Sequence, residues 1–193
     1  MDERTEELRK KIEAHLAAAA GAPARVTELA PLAGGACQDN WRVEVDLAGE
    51  GGGPRRLVLR SDAARSLPQS LSRREEFHVI AAATAAGVRT PAARYPGQGL
   101  ARDGAHAYFL DWVDGDAIGR RIVRDERLAG ARATLAAELA VELAKIHRIP
   151  PAALDGVLPP PPGGDPAAHA LDVARRSIEA LPEPRPALEL AME

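Results

Sequence analysis

Leu8, Ile12 and Leu16 recur every four residues among charged positions, which predicts an amphipathic helix ending near Gly21-Ala22-Pro23. Val26 to Leu29 is a short strand candidate ahead of a Gly34-Gly35 turn. Trp41, Val43, Val45 and Leu47 then alternate with Arg42, Glu44 and Asp46, the period of two of a strand with one buried face. A glycine-rich connection over 49–54 leads to a returning strand over 56–60, and the two strands read as an antiparallel hairpin.

Ser72 followed three residues later by Glu75 is a capping box, so a helix is expected over 73–86, with Phe77, Ile80 and Ala81 on one stripe and Gly87 as its stop. After Thr90-Pro91 the pattern gives a short extended piece, a Pro96-Gly97 turn and a strand over 105–113. That strand holds Tyr108, Phe109 and Trp112 in a chain that is only 3% aromatic, which marks it as a core anchor or a pocket wall. Leu135, Leu139, Leu143 and Ile146 carry a long helix over 127–147, stopped by Pro150-Pro151. A proline-rich linker, a helix over 167–180 and the opening of another over 187–192 complete the reading, with no internal repeat.

Composition narrows the function classes. The 193 residues are 46% hydrophobic and 27% charged, enough for a sizeable core, and nothing reads as a membrane span or secretory signal, which suggests a cytoplasmic protein. A single cysteine, Cys37, cannot form an intrachain disulfide, and the spacing of the five histidines gives no zinc site. A net charge of -3 carries no electrostatic footprint for nucleic acid. The basic residues are almost all arginine, the lysines being Lys10, Lys11 and Lys145, so a cation needed in the body of the chain has to be a guanidinium.

The predicted parts run strand, glycine turn, strand, strand ending in a cation, helix with a carboxylate, two strands, turn and long helix. A nucleoside triphosphate kinase uses parts in that order: a glycine turn approaching phosphates, a strand cation gripping them, a helix carboxylate fixing the cation, and a hinge offering backbone groups to the base. The chain resembles the aminoglycoside-phosphotransferase-like, choline-kinase-like branch of the protein-kinase fold. The resemblance rests on Gly34-Gly35-Ala36-Cys37-Gln38-Asp39-Asn40-Trp41, Leu57-Val58-Leu59-Arg60, Arg74-Glu75-Glu76-Phe77, Gly87-Val88-Arg89-Thr90-Pro91 and Phe109-Leu110-Asp111-Trp112-Val113-Asp114-Gly115, within residues 25 to 155. It implies an α+β fold: an N-terminal helix (1–24), an N-lobe of antiparallel sheet and αC-type helix ending in a hinge (25–113), and a linker with part of a helical C-lobe (114–193).

The same resemblance implies roles. Gly34 and Gly35 would cover nucleotide phosphates, Val58 would lie against adenine, Arg60 would stand in the lysine position, and Glu76 would pair with it. Leu110 would back the hinge, with Asp111 and Val113 offering backbone groups to the base. Read without the resemblance, the glycines are a hairpin turn, Arg60 and Glu76 are solvated, and the aromatic strand is core. His147-Arg148-Ile149 lacks the aspartate of a catalytic His-Arg-Asp, which leaves His147 a helix-ending histidine. Cys37 reads as a small half-buried residue.

The family's catalytic loop, His-Gly-Asp-x-x-x-x-Asn, is absent, since none of His15, His78, His106, His147 and His169 is followed by Gly-Asp. The expectation is therefore the N-terminal part of an ATP-dependent phosphotransferase acting on a small-molecule hydroxyl, inactive as given. Mg2+ is expected for the full enzyme, but its ligands are not in this chain. The alternatives are a non-catalytic nucleotide-binding or protein-interaction module, and an unrelated α+β domain.

Overall fold

Leu8, Ile12 and Leu16 are all buried on one side of the first helix, α1 (Glu3–Ala20), as their spacing requires. This computed structural model describes residues 3–32, 38–48, 54–64, 70–158, 163–183 and 185–190. The strands are β1 (Ala24–Pro31), β2 (Gln38–Leu47), β3 (Pro54–Asp62), β4 (Ala93–Gln98) and β5 (His106–Asp111). They form one antiparallel sheet in the order β1-β2-β3-β5-β4. Between β3 and β4 runs α2 (Arg73–Ala85).

Strand alternation gives the sheet two different faces. Val43, Val45 and Leu47 of β2, Leu57 and Leu59 of β3, and Ala107 and Phe109 of β5 are buried in one core with the apolar stripe of α1. The register sets Leu59 opposite Trp41 and Phe109, so the hairpin read from the sequence is continuous with the aromatic strand. The opposite face carries Asn40, Arg42, Val58, Arg60, Tyr108 and Leu110, and α2 lies over part of it, with the Phe77 ring edge-on to Tyr108 at 5.9 Å.

Three local expectations need correcting. Pro96-Gly97 is not a turn but lies within β4, where the pairing with β5 shifts between Arg94 and Gly97 and Tyr95 has a φ of 47°. Glycine is required there by close approach, because a Cβ on Gly97 would sit 2.7 Å from His15 Cε1. The true turn comes later, with Gly99 N–H donating to Ala105 O at 2.8 Å and positive φ at Gly99 and Gly104. Second, β5 ends at Asp111, so Trp112 and Val113 lie beyond the strand. Third, on α2 Ala81 is exposed while Phe77 and Ile80 are half-buried, and the buried residue is Arg73. That helix is seated by charge as much as by apolar area.

The capping box forms: Glu75 N–H donates to Ser72 Oγ at 3.2 Å and Ser72 N–H to Glu75 Oε2 at 2.7 Å. After β5 come α3 (Gly119–Arg124), a 3-10 turn at Glu126–Leu128 and α4 (Ala129–His147). The Asp125 carboxylate accepts from Arg127 N–H at 3.0 Å and tightens the chain there, which is why the long helix starts later than its apolar pattern suggests. Leu135, Leu139, Leu143 and Ile146 of α4 are exposed. The helix is tied instead through Glu142, which accepts from Arg89 N–H at 2.8 Å and Arg89 Nε at 3.0 Å, and through Lys145, which donates to Gly87 O at 2.9 Å.

Residue contacts divide the chain into Met1–Leu154 and Asp155–Glu193. The second unit contains α5 (Pro166–Glu179), opened by Asp165 accepting from Ala167 N–H and Ala168 N–H, and the short α6 (Pro186–Leu190). Among the described residues no helix is long and apolar enough to cross a membrane.

Candidate functional site

Arg60 ends the row Arg56, Val58, Arg60 on the face of β3 that turns away from α1. Its cross-strand partners are Asn40 and Tyr108, and those of Val58 are Arg42 and Leu110. Val58 and Leu110 thus form a small apolar floor, and Arg60 stands at one end of it. Across from Arg60, α2 brings Glu76, and Arg60 Nη2 lies 2.7 Å from Glu76 Oε1. Both side chains are about one-fifth exposed, at 20% and 19%, so the pair is shielded from solvent yet reachable.

Sequence reasoning missed the groups that hold this pair. The Tyr108 hydroxyl donates to Glu76 Oε1 at 2.9 Å, and Arg73 Nη1 contacts Glu76 Oε2. Arg73 is itself anchored by Asp62, whose Oδ1 accepts from Arg73 N–H at 2.8 Å, and by Leu71 O, which accepts from Arg73 Nη2 at 2.8 Å. The second Asp62 oxygen accepts from His106 N–H at 3.1 Å. Burial, with help from the Glu76 carboxylate and against the lowering effect of the Arg60 and Arg73 charges, pushes the Tyr108 hydroxyl well above its ordinary pKa of 10.0. Tyr108 is therefore a fixed donor across the physiological range. The available signal was parity, since Tyr108 must face the same way as Leu110.

At the other end of the floor, Trp112 lies with the Arg42 and Arg56 guanidinium carbons 5.7 and 5.9 Å from its ring centroid. Arg56 forks onto Asp114 at 2.9 and 2.6 Å, and Trp112 Nε1 donates to Asp114 Oδ1 at 2.9 Å. The Arg56 hydrogen bond, followed by that from Trp112, lowers the Asp114 carboxyl to about 2. This docks the segment after β5 onto the sheet. Asp111 directs its side chain to Arg94, which donates at 2.6 Å, and its backbone N–H to Ala92 O at 3.1 Å, while Val113 is exposed. Gly34, Gly35 and Cys37 lie outside the described residues.

A cavity of about 530 Å3 opens on the α1 side, among Lys11, Trp41, Leu100 and Arg102, and so on the face of the sheet away from Arg60. It plays no part in the arrangement just described. The chain matches the model of the phosphotransferase enzyme family over residues 28–193. It belongs to that family. No curated protein matches it. The match begins within β1 and takes in β2 to β5, α2 to α6 and the cation–carboxylate pair, with α1 preceding it.

The family is kinase-like, and a phosphotransferase of this kind implies a divalent cation beside the phosphates. The described residues do not fit one: no group of three or more histidine, cysteine, aspartate or glutamate side chains among them could hold a metal ion. No step below is routed through it.

Proposed function

We propose that the Arg60 face of the sheet is the nucleotide side of an ATP-dependent small-molecule kinase, one that moves a γ-phosphate to a substrate hydroxyl. The observation that carries this is the contact between Arg60 and Glu76 at 2.7 Å, at the end of a floor made by Val58 and Leu110. A shielded guanidinium, a planar fork of N–H donors, suits phosphate oxygens. An apolar strip beside it suits a purine face. The segment from Asp111 to Val113, at and just after the end of β5, supplies the hinge, and Gly34-Gly35 come just before β2, the strand paired with β3, in the sequence.

Within this chain none of the five histidines precedes Gly-Asp, so nucleotide binding is the activity proposed for residues 1–193, not transfer. The same fact favours a second reading, a nucleotide-binding module without transfer chemistry. Titration calorimetry with ATP tests the shared part. Wild type binds, and Arg60→Ala weakens binding about tenfold or more, the loss of one charge-assisted contact. Equal affinity in the two proteins would remove Arg60 from the site. Turnover of ATP by the chain in a coupled assay would overturn both readings, since neither assigns transfer to residues 1–193.

A further inference from the structure

Arg56 meets the segment after β5 in three ways. Its carbonyl oxygen accepts from Trp112 N–H at 3.0 Å, its guanidinium forks onto both Asp114 oxygens at 2.9 and 2.6 Å, and its guanidinium carbon lies 5.9 Å from the Trp112 ring centroid. Trp112 Nε1 closes the circuit by donating to Asp114 Oδ1 at 2.9 Å. Arg42, itself hydrogen-bonded to Glu28 at 3.2 Å and to Glu44, sets a second guanidinium carbon 5.7 Å from the same ring. A lone exposed ion pair contributes little, but a two-pronged fork joined to an indole donor and a backbone bond is a network with one geometry. Val113 lies between the two fastened residues and is exposed, so its place is set by Trp112 and Asp114 and not by packing of its own side chain.

We infer that Arg56 is a positioning residue for the base, one that fixes the hinge at Val113 and takes no part in holding the phosphates. The inference rests on reading this face as the nucleotide site. Arg56, Val58 and Arg60 share one face of β3, so the Cα atoms of the two arginines stand about 13 Å apart, with the Val58 and Leu110 floor between them. That separation exceeds the Debye length of about 8 Å at physiological salt, so phosphates at Arg60 are screened from the charge of Arg56. Asp114 neutralises that charge as well. What Arg56 supplies is order: without the fork, fixing Val113 falls to the nucleotide itself, which lowers affinity.

The test compares ATP with inorganic tripolyphosphate, which has no base, by calorimetry on the full chain of wild type, Arg56→Met and Asp114→Asn. The two variants break the same fork while changing the charge in opposite senses. Positioning predicts that each weakens ATP about fivefold and changes tripolyphosphate by less than about 1.5-fold. Direct attraction of phosphate predicts opposite signs instead, Arg56→Met weakening both ligands and Asp114→Asn strengthening them, and that result would overturn the inference. Equal losses for the two ligands, the mark of a damaged fold, or unchanged ATP affinity in both variants would overturn it too. Asp114→Asn is nearly isosteric at a side chain 72% exposed, so it answers the question should Arg56→Met not fold. If wild type and Arg60→Ala do not differ toward ATP, the nucleotide reading itself fails. The positioning of the segment is then decided by amide exchange at Trp112 and Val113 in the ligand-free chain, where rates at least about fivefold faster in Asp114→Asn support it and equal rates reject it.

Discussion

Arg60 and Glu76 meet at 2.7 Å between a strand and a helix, and the carboxylate of that pair also receives Arg73 and the Tyr108 hydroxyl. Glu76→Gln keeps the shape and removes the charge that neutralises two shielded arginines. It should cost about 3 kcal/mol, within the range for breaking a shielded ion pair from one side. Urea denaturation should show a lower midpoint with an unchanged slope. A midpoint equal to wild type would mean the pair contributes nothing to stability.

Tyr108 makes stability fall at alkaline pH. Its pKa in the fold is raised above the ordinary 10.0, chiefly by burial, so the neutral hydroxyl is favoured when folded. The stabilisation is fully present below 10 and is lost as pH rises from there through the folded value. Absorbance titration of phenolate formation should show one tyrosine ionising together with unfolding, and Tyr108→Phe should abolish that component.

At Glu142 the sign is reversed. The Arg89 backbone N–H, then Lys145, then the Arg89 side chain lower its carboxyl from the ordinary 4.5 to about 2. Its contribution is present above 4.5 and disappears as pH falls toward about 2. In a carboxyl carbon NMR titration, Arg89→Ala should raise this pKa only part of the way, because alanine retains the backbone donor. A full return to 4.5 would show that α4 had come away from the Arg89 loop.

His15 Nε2 lies 3.1 Å from Tyr95 O, and its ring stacks on Phe109 with centroids 6.2 Å apart. A Cβ at Gly97 would strike that ring. Gly97→Ala should therefore destabilise by about 1–3 kcal/mol, the usual cost of overpacking. In a His15→Ala background the same substitution should cost less than about 0.5 kcal/mol relative to that background. Thermal melts of the four proteins provide the comparison. A cost independent of residue 15 would place the strain in the β4 backbone.

The α1 side of the sheet was legible because Leu8, Ile12 and Leu16 and the alternation through β2 report burial directly. Arg60 and Glu76 could be paired only through family resemblance, and the structure places them in contact. Arg73 was invisible for a physical reason: an arginine at the start of a helix reads as solvated, and nothing local shows that Asp62 and Glu76 will enclose it. Gly97 was read as a turn because Pro-Gly pairs usually make one, whereas here the missing side chain makes room for His15, far away in sequence. The 3-10 turn before α4 depended on where the Asp125 carboxylate points, which no periodicity encodes.

Asp62 holds the first N–H of α2 with one oxygen and the first N–H of β5 with the other. Helix and strand are pinned at a common pivot, so neither can tilt without dragging its neighbour, and Glu76 cannot swing outward from Arg60 while that pivot is intact. Sheet and helix therefore move together there as one stiff plate.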